Sequence, residues 1–415
     1  MNSNNKIIAA LDLGADKIVC LIGYINSIGK ICIKGVGHQK SMGIMNGTII
    51  DTKATVQSVI SAISVAERMA GYNIDKIVVN ISGQHISSNN VKAKLNINGR
   101  VINQKDISNL AKNVRSAFKR QGKEIIHLIP IDYTVDGSSG IKNPRNIIGD
   151  MLSIDFHTVI TNENNMKNID QCIKKTPLTI NNYISSAYAS ALACLTNNEM
   201  EMGTLLIDIG GSNSSFCVIY EDKFLYNSNI SIGGINITKD IALILTVDFS
   251  IAEKIKTLNT DLTLNSNEED ELIKIDIDDD SSFKAAQAKR GMINNIYKSR
   301  IEEMMRIIYG KINQQKLDGL IRNIVITGGT SLTPGLDAYI NKLTKKPVRV
   351  GSPDSIVAST PILIKNLQNP IYSCSVGTLK FLQKMSEQRK LEDFKSIGNS
   401  KFKRLFSTLN RFFIS

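Results

Sequence analysis

The sequence predicts an α/β protein with a duplicated core, and two apolar runs that end in glycine turns are the first evidence for it. The runs occupy residues 7–14 and 204–211, share the pattern apolar-Asp-apolar-Gly, and continue into second apolar runs at 18–25 and 216–220. A glycine turn between two apolar runs is typical of a β-hairpin. Because the same plan recurs after about 195 residues, the chain is predicted to contain two related domains.

The turns themselves predict a phosphate-binding site, and a third run at 323–330 also ends in glycines. Glycine lacks a Cβ atom, so its backbone N–H groups can approach phosphate oxygens closely. Asp12 and Asp208 precede the first two turns, where a carboxylate can hold a water of a phosphate-bound magnesium ion. The three turns together predict one nucleotide site, although each Asp-x-Gly taken alone also fits a plain hairpin connection.

The composition of the chain limits the classes of protein to which it can belong. The chain has 415 residues, of which 42% are hydrophobic and 21% charged, which is typical of a soluble protein with two or more domains. Six cysteines and four histidines are scattered without metal-type spacing, which argues against a zinc site. The sequence shows no leader pattern and no apolar stretch of about 18 residues, so a cytoplasmic protein is expected. A net charge of +12 favours an anionic partner.

The pattern between the turns predicts the remaining elements in order. A helix is expected at 52–70, capped by Asp51 and ended by Gly71, and a buried strand at 76–82. Alternating strands around one amphipathic helix at 105–119 predict an inserted subdomain from about residue 84 to 162. Another helix is expected near 180–195.

The segment 258–282 holds nine acidic residues and one lysine, which predicts a solvated loop. One or two helices at 283–314 are expected to follow it.

The end of the chain has two parts. Residues 384–400 are polar and mixed in charge, which predicts a flexible linker. Residues 401–415 predict an amphipathic helix whose apolar arc is formed by Phe402, Leu405, Phe406, Leu409, Phe412 and Phe413. Such a helix with flanking bases is typical of an interfacial membrane anchor, and the alternative is a terminal helix docked on its own domain. The membrane interpretation makes anionic lipid the expected partner of the positive charge.

The turns and several further motifs resemble the actin-like ATPase superfamily and, within it, the FtsA family of bacterial cell-division proteins. The most specific motifs lie at residues 43–51, 66–71, 79–88, 129–137 and 326–335, and the resemblance covers essentially the whole chain. It implies an actin-like fold, in which two ribonuclease H-like domains enclose a nucleotide cleft, with a family-specific inserted subdomain and a C-terminal amphipathic helix. The units it implies are subdomain 1A at 1–83, 163–197 and 355–383, inserted subdomain 1C at 84–162, subdomain 2A at 198–240 and 322–354, subdomain 2B at 241–321, the linker at 384–400 and the helix at 401–415.

The resemblance also implies the ligands of the cleft, ATP and Mg²⁺, with Asp12 and Asp208 near the metal. The nucleotide-binding positions that it implies are Asp12, Gly14, Lys17, Asp208, Gly210, Gly211, Gly233, Gly234, Glu253, Lys256, Gly328, Gly329 and Thr330. Glu253 and Lys256 also fit an ordinary solvated pair on a helix. The chain departs from the family pattern at Ala15, Asp16 and residues 212–214, which predicts ATP binding with at most weak ATPase activity. Ser212 in particular restricts φ where the family has a glycine.

The function implied by the resemblance is organisation of the division septum. The expected partners are the C-terminal peptide of the tubulin-like protein FtsZ, further copies of the chain in actin-like filaments, anionic lipid and other division proteins, with no nucleic acid. The expected location is the cytoplasmic face of the cell membrane at midcell. Arg300 is the first choice for contact with the peptide, while an ordinary solvated base is the alternative.

Two other functions stay open on the sequence: a small-molecule kinase and an actin-like pilus-assembly protein. The kinase needs a general base for its substrate, and the sequence offers no candidate beyond Asp12 and Asp208. The C-terminal segment disfavours both alternatives.

Overall fold

The computed structural model describes residues 6–275, 286–354, 356–358 and 360–396. In chain order the strands are β1 (Lys6–Leu13), β2 (Lys17–Ile25), β3 (Ile31–Lys40), β4 (Ile44–Met45), β5 (Thr48–Ile49), β6 (Lys76–Ile81), β7 (Ser87–Val101), β8 (Lys123–Val135), β9 (Ile148–Asn162), β10 (Thr179–Ser185), β11 (Thr204–Ile209), β12 (Ser214–Tyr220), β13 (Lys223–Ile230), β14 (Leu272–Ile275), β15 (Ala286–Lys289), β16 (Asn323–Thr327), β17 (Val348–Val350) and β18 (Val357–Ala358).

The helices, in chain order, are α1 (Thr52–Ala70), α2 (Gln104–Lys119), α3 (Glu163–Ile173), α4 (Ser186–Cys194), α5 (Asn197–Met202), α6 (Gly234–Leu245), α7 (Phe249–Asn259), α8 (Ser266–Glu269), α9 (Arg290–Gln314), α10 (Leu336–Thr344), α11 (Pro361–Leu367) and α12 (Ser373–Ser396). Short 3₁₀ helices lie at Asp318–Leu320, Gly329–Leu332 and Pro370–Tyr372. No helix in the described ranges combines the length and apolar character needed to cross a bilayer.

Two sheets repeat one topology. The first has the order β10-β6-β1-β2-β3-β18 and the second the order β13-β12-β11-β16-β17. In each, three antiparallel strands form a meander, and two parallel strands extend the sheet beyond the first strand of the meander. The duplication predicted from the sequence is therefore confirmed. We call the halves built on these sheets the first and second domains.

Two helices join the domains beneath the cleft. Every residue of α4 is buried, and α4 packs closely along α12. A Cβ atom on Gly377 of α12 would lie 1.7 Å from the carbonyl oxygen of Ala189, so only glycine fits this crossing. One hydrophobic core contains Leu11 of the first sheet together with Leu206 of the second. The floor of the cleft is therefore one continuous packed layer.

The inserted subdomain, formed by β7, α2, β8 and β9, has its own sheet in the order β7-β9-β8. Its core is separate from those of the two domains and includes Leu110, Leu152 and Phe156. Helix α2 begins with a capping box between Asn103 and Asp106 and matches the helix predicted at 105–119. An inserted unit of strands around one amphipathic helix is what the sequence predicts.

Helix α1 also matches its prediction at both ends. The side chain of Asp51 accepts a hydrogen bond from the N–H of Ala54 at 3.0 Å, and Gly71 ends the helix with φ of 80°.

Three predictions of local structure are wrong. The helix predicted at 180–195 begins only at Ser186, because the preceding β-branched and aromatic residues pair with β6 as strand β10. The acidic segment 258–282 is not all loop: α8 lies in it, and β14 pairs with β15 where one helix start was expected. The linker predicted at 384–400 continues α12 as far as Ser396, since the segment lacks Gly and Pro up to that point. The helix predicted at 401–415 lies outside the described residues.

Candidate nucleotide-binding cleft

The first glycine turn is a tight hairpin between β1 and β2. The N–H of Gly14 donates to the carbonyl oxygen of Lys17 at 3.1 Å, and a Cβ atom on Gly14 would lie 2.7 Å from that oxygen. The carbonyl of Asp16 at the tip accepts from the N–H of Ser41 at 2.9 Å. The turn is thus fixed both by a bond within the hairpin and by a bond from Ser41, the residue after β3.

The second glycine turn, between β11 and β12, faces the first. The N–H of Gly210 donates to the carbonyl oxygen of Asn213 at 3.0 Å, which repeats the bond of the first hairpin. A Cβ atom on Gly211 would lie 3.0 Å from the Cβ of Asp16. The two hairpins therefore meet tip to tip, one from each domain.

The third turn follows β16, the parallel neighbour of β11. Gly328 takes a φ of +87°, and a Cβ atom there would lie 2.5 Å from Asp208 Oδ1. A side chain at 328 would thus be strained by its backbone and would strike the carboxylate.

All three turns line one cavity of about 70 Å³ between the domains. The predicted site residues on its walls are Asp12, Gly14, Lys17, Asp208, Gly210, Gly211, Gly328 and Gly329.

Asp12 is held at the bottom of this cavity by neutral donors. Its Oδ1 accepts from Asn80 Nδ2 at 2.7 Å and its Oδ2 from Ser375 Oγ at 3.0 Å. Burial raises the pKa of Asp12, and the nearby charge of Lys17 opposes that shift.

Asp208 is the counterpart of Asp12 in the second domain. Its Oδ2 accepts from Ser190 Oγ at 2.5 Å. Burial raises the pKa of Asp208 to about 6, and the charge of Asp12 pushes it in the same direction. The cavity therefore places two carboxylates, each supported by hydroxyl or amide donors, near one lysine.

The remaining predicted residues gather next to Gly210 at the start of α6. The N–H of Gly234 donates to the carbonyl oxygen of Gly210 at 3.0 Å, and a Cβ atom on Gly233 would lie 2.6 Å from the same oxygen. Lys256 Nζ donates to the carbonyl of Gly234 at 3.2 Å and to Glu253 Oε2 at 2.7 Å.

Thr330 completes this group. Its Oγ1 lies 3.5 Å from the carbonyl oxygen of Gly210, and a Cβ atom on Gly234 would lie 2.8 Å from that hydroxyl. Glu253 and Lys256 therefore form an ion pair beside the glycines and not on a distant solvated face. Every residue predicted for the cleft lies either on the cavity wall or in this adjoining group.

Sequence reasoning missed the residues that donate hydrogen bonds to the two carboxylates of the cavity. Asn80 donates to Asp12 and also accepts from the N–H of Leu13 at 2.7 Å. The signal for it was an asparagine inside the apolar strand β6, since a buried amide needs partners. Ser190 and Ser375 lie in helices that carry no motif, so nothing local distinguished them.

The turn accommodates Ser212 without backbone strain. The φ angle of Ser212 is not positive, so serine fits this position of the turn. The restriction of φ expected from the sequence therefore has no energetic cost here.

The donor set fits a magnesium ion held mainly by phosphate and water. Among the described residues no three His, Cys, Asp or Glu side chains cluster as a protein cage for a metal. Magnesium uses one or two carboxylates together with waters and substrate phosphates, and Asp12 and Asp208 supply two carboxylates on one cavity wall.

Arg300 lies away from the cleft, in a groove of about 910 Å³ between α6, α9 and the acidic segment. Its Nε and Nη2 donate to the two carboxylate oxygens of Asp240, each at 2.7 Å, and Nη1 contacts Glu303. These bonds raise the pKa of Arg300. The groove also exposes Leu243, Ile244 and Met292. Arg300 is therefore a paired base at an amphipathic groove.

Two family models match the chain. The model described as "SHS2 domain inserted in FTSA" matches residues 83–160, and the model "Cell division protein FtsA" matches residues 205–377. The first range contains most of the inserted subdomain and the second most of the second domain.

Relatives match over most of the chain. The cell division protein FtsA of Pseudomonas aeruginosa is 30% identical over 386 residues, which cover 92% of this chain and 91% of the relative. The cell division protein FtsA of Agrobacterium fabrum is 29% identical over 394 residues, covering 92% of this chain and 88% of the relative.

Solved structures share the fold. The PilM-PilN type IV pilus biogenesis complex matches with a TM-score of 0.65 and 13% identity, covering 91% of this chain and 98% of the matched chain. MreB5 of Spiroplasma citri bound to AMPPNP matches with a TM-score of 0.57 and 14% identity, covering 94% and 99%. The fold is actin-like, with the insertion at the place where the FtsA model has it. The chain therefore belongs to the FtsA family of cell-division proteins.

Proposed function

We propose that this chain binds ATP with Mg²⁺ in the cleft and tethers FtsZ filaments to the cytoplasmic face of the cell membrane, where it assembles with further copies of itself. The proposed nucleotide binding is supported mainly by one observation: two glycine hairpins with buried carboxylates face each other between two related domains. The AMPPNP bound to the MreB5 structure of the same fold supports it. Family membership favours cell division over the small-molecule kinase and the pilus-assembly protein.

The residues of the cleft suit binding better than rapid hydrolysis. Gly14, Gly210 and Gly328 keep side chains out of the space where phosphate oxygens are expected, and Lys17 supplies a positive charge. The N–H groups of Gly14 and Gly210 stay bonded within their own hairpins. Asp12 and Asp208 would hold Mg²⁺, which when bound neutralises phosphate charge. Both carboxylates accept hydrogen bonds from neutral donors, and with Mg²⁺ held between them neither would be free to act as a general base. ATP therefore acts chiefly as a structural ligand that sets the relation of the two domains.

The membrane part of the proposal rests on the sequence of the C-terminal segment. From residue 383 onward the chain has eight basic and three acidic residues, so this segment carries a net charge of +5. Six large apolar residues recur with helical spacing among the bases of 401–415. Lipid attachment of this kind combines apolar burial with attraction to anionic headgroups.

The partner part rests on the groove at Arg300. The groove has an apolar wall and two bases, Arg300 and Lys289, together with four carboxylates. A peptide that is both acidic and apolar, the character expected of the FtsZ C-terminal peptide, would pack on the wall and take the place of the carboxylates that now pair with Arg300. Other division proteins are expected to bind elsewhere on the molecule.

Equilibrium binding of Mg²⁺-ATP to the full chain tests whether the two glycine hairpins form a nucleotide site. Asp208→Ala is expected to weaken binding by roughly tenfold or more, equivalent to at least about 1.4 kcal/mol. Asp75→Ala removes an exposed carboxylate outside the cleft and is expected to leave the affinity unchanged. Absence of ATP binding by the unaltered chain, or equal losses in both variants, would contradict a nucleotide site at the turns.

Co-sedimentation with vesicles tests the membrane part. The full chain is expected to pellet with anionic vesicles, and a chain ending at Ser400 is expected to stay in the supernatant. A full-length variant with Phe406 and Phe413 replaced by Ser retains the charge of the segment and is expected to bind several-fold less. Equal pelleting of all three chains would overturn the proposed anchor.

A further inference from the structure

One of the hydrogen bonds that join the two domains lies beside the phosphate turns. Ser212 Oγ, in the turn between β11 and β12, accepts from the backbone N–H of Asn46 at 2.9 Å. Asn46 belongs to the small β4–β5 hairpin of the first domain, and Ser212 is only 4% exposed. The acceptor is a side-chain oxygen, so the bond depends on the residue type at position 212. Glycine or alanine at 212 has no such oxygen.

The donor is held in place by its own turn. Asn46 and Gly47 have φ values of 50° and 73°, which are typical of a two-residue Asn-Gly hairpin turn. A Cβ atom on Gly83 would lie 2.5 Å from the carbonyl oxygen of Asn46, and one on Gly47 would lie 2.3 Å from that of Ser82. The β4–β5 hairpin thus packs directly on the backbone after β6 and presents the Asn46 N–H as a rigid donor.

The hydrogen bond lies beside the contact between the two phosphate turns. Gly211 precedes Ser212 and meets Asp16 across the cleft, and the carbonyl of Asp16 is itself bound by Ser41. The cavity between the turns is about 70 Å³, room for about two water molecules at ~30 Å³ each and too small for a triphosphate with its Mg²⁺. A nucleoside triphosphate therefore enters only when the turns move apart, and that movement breaks the Ser212–Asn46 bond.

We infer that Ser212 sets the nucleotide affinity of this chain by bonding the closed cleft to Asn46 in competition with nucleotide. The inference rests on the proposed nucleotide function of the cleft. When only a fraction of molecules has an open cleft, the apparent dissociation constant rises by the inverse of that fraction. Ser212 is thus an affinity-determining residue that needs no contact with the ligand.

The test uses the full chain with Ser212→Ala and a matched control, Ser58→Ala. Ser58 is a buried serine of α1 outside the cavity, and its Oγ donates to the carbonyl of Ala54 within the same helix at 3.2 Å. Ser212→Ala is expected to tighten Mg²⁺-ATP binding about three- to tenfold, equivalent to about 0.7–1.4 kcal/mol and within the usual range for a neutral hydrogen bond. Ser58→Ala is expected to give no tightening.

Hydrogen–deuterium exchange without nucleotide gives a second readout. The peptide containing Asn46 is expected to exchange about threefold or more faster in Ser212→Ala, and at the unaltered rate in Ser58→Ala. Unchanged exchange in Ser212→Ala, or equal changes in both variants, would overturn the inference. If no chain binds ATP, the proposed nucleotide function fails, and exchange alone then decides whether the bond holds the cleft closed. If ATP binds equally to all chains, the affinity role of Ser212 fails while the nucleotide site stands.

Discussion

Asp208 illustrates how burial governs the chemistry of single residues in the cleft. Its carboxylate is surrounded by packed strands and helices, and Ser190 is its hydrogen-bond donor. Burial raises its pKa to about 6, so near neutral pH the folded protein carries a charge that its surroundings disfavour. Such a charge is better stabilised by a bound cation than by the protein alone, which fits the proposed magnesium site. Burying the ionised Asp208 carboxylate lowers the stability of the fold, and this loss of stability depends on pH.

Asp208→Asn is expected to stabilise the fold at pH 7.5 and to have little effect at pH 4. The folded carboxyl holds its proton more tightly than the unfolded one, so raising the pH ionises the unfolded state first and lowers stability. The variant's free energy of unfolding should therefore exceed that of the unaltered chain by an amount that grows between about pH 4 and pH 6. The difference should reach roughly 3 kcal/mol at most. Urea unfolding at several pH values measures it, with Asp75→Asn as control. A pH-independent gap would contradict the assigned burial effect.

Arg300 presents the opposite case, a charge already satisfied by its neighbours. Its guanidinium is forked onto Asp240 and also contacts Glu303. Both members of the Arg300–Asp240 pair are about one-quarter exposed and the contact is bidentate, so the pair is held more firmly than an ordinary surface ion pair. An incoming acidic peptide has to compete with these carboxylates.

Asp240→Asn is accordingly expected to tighten binding of the acidic FtsZ peptide a few-fold, because it releases one fork of Arg300. Arg300→Ala is expected to weaken binding about tenfold. Fluorescence anisotropy with a labelled peptide measures both effects. Arg306→Ala, an exposed base on the same helix outside the groove, should change little. If Arg306→Ala weakened peptide binding as much as Arg300→Ala, the peptide would be held by general electrostatic attraction and not by the groove.

At the scale of elements, the junction between the domains depends on how closely α4 and α12 approach. Helix α4 is built from small residues, and α12 presents Gly377 to the carbonyl of Ala189. Small residues at a crossing let two helix backbones come together, which places Ser190 near Asp208 and Ser375 near Asp12. The same crossing therefore supplies the floor of the cleft and the donors to its carboxylates.

Gly377→Ala is expected to destabilise the protein by roughly 2 kcal/mol or more, because its methyl group would overlap a backbone oxygen that cannot rotate away. Gly310→Ala is the matched control: Gly310 also lies in a helix, α9, but has open space around it. Its replacement is expected to raise stability by up to about 1 kcal/mol through helix propensity. Urea midpoints of the two variants should move in opposite directions. A shift of Gly377→Ala toward higher urea would contradict the close crossing.

At the scale of the whole molecule, the sequence was sufficient where a pattern was local and repeated. The hairpins, the capped helix α1 and the inserted subdomain follow from periodicity, turn residues and caps. The hydrogen bond from Asn80 to Asp12 joins residues 68 positions apart, and the bond from Ser375 joins residues 363 apart. Such pairs exist only once the chain has folded, so no local signal marks them. Strand β10 was mistaken for helix because its pairing with β6 overrides a weak local preference.

The separate core of the inserted subdomain predicts that this subdomain can fold independently of the rest of the chain. Its sheet shares no strand with the two main sheets, and Ser87 pairs with Ile160, so the chain enters and leaves at neighbouring points. A unit with its own core and adjacent ends can fold alone. The fragment 84–162 is therefore expected to unfold cooperatively in urea, with a stability of only a few kcal/mol because a domain of this size buries a small core.

The fragment should also reveal which of its faces depends on the rest of the chain. Ile129 and Val159 belong to the core of the first domain, and His157 contacts Phe224 of the second, so this face becomes exposed in isolation. Val159→Thr is expected to cost the full chain more stability than the fragment, because only the full chain buries the added hydroxyl against other domains. Leu152→Ala, in the fragment's own core, is expected to cost both about 2–5 kcal/mol. A fragment that lacks a cooperative transition would show that its core depends on the domains around it.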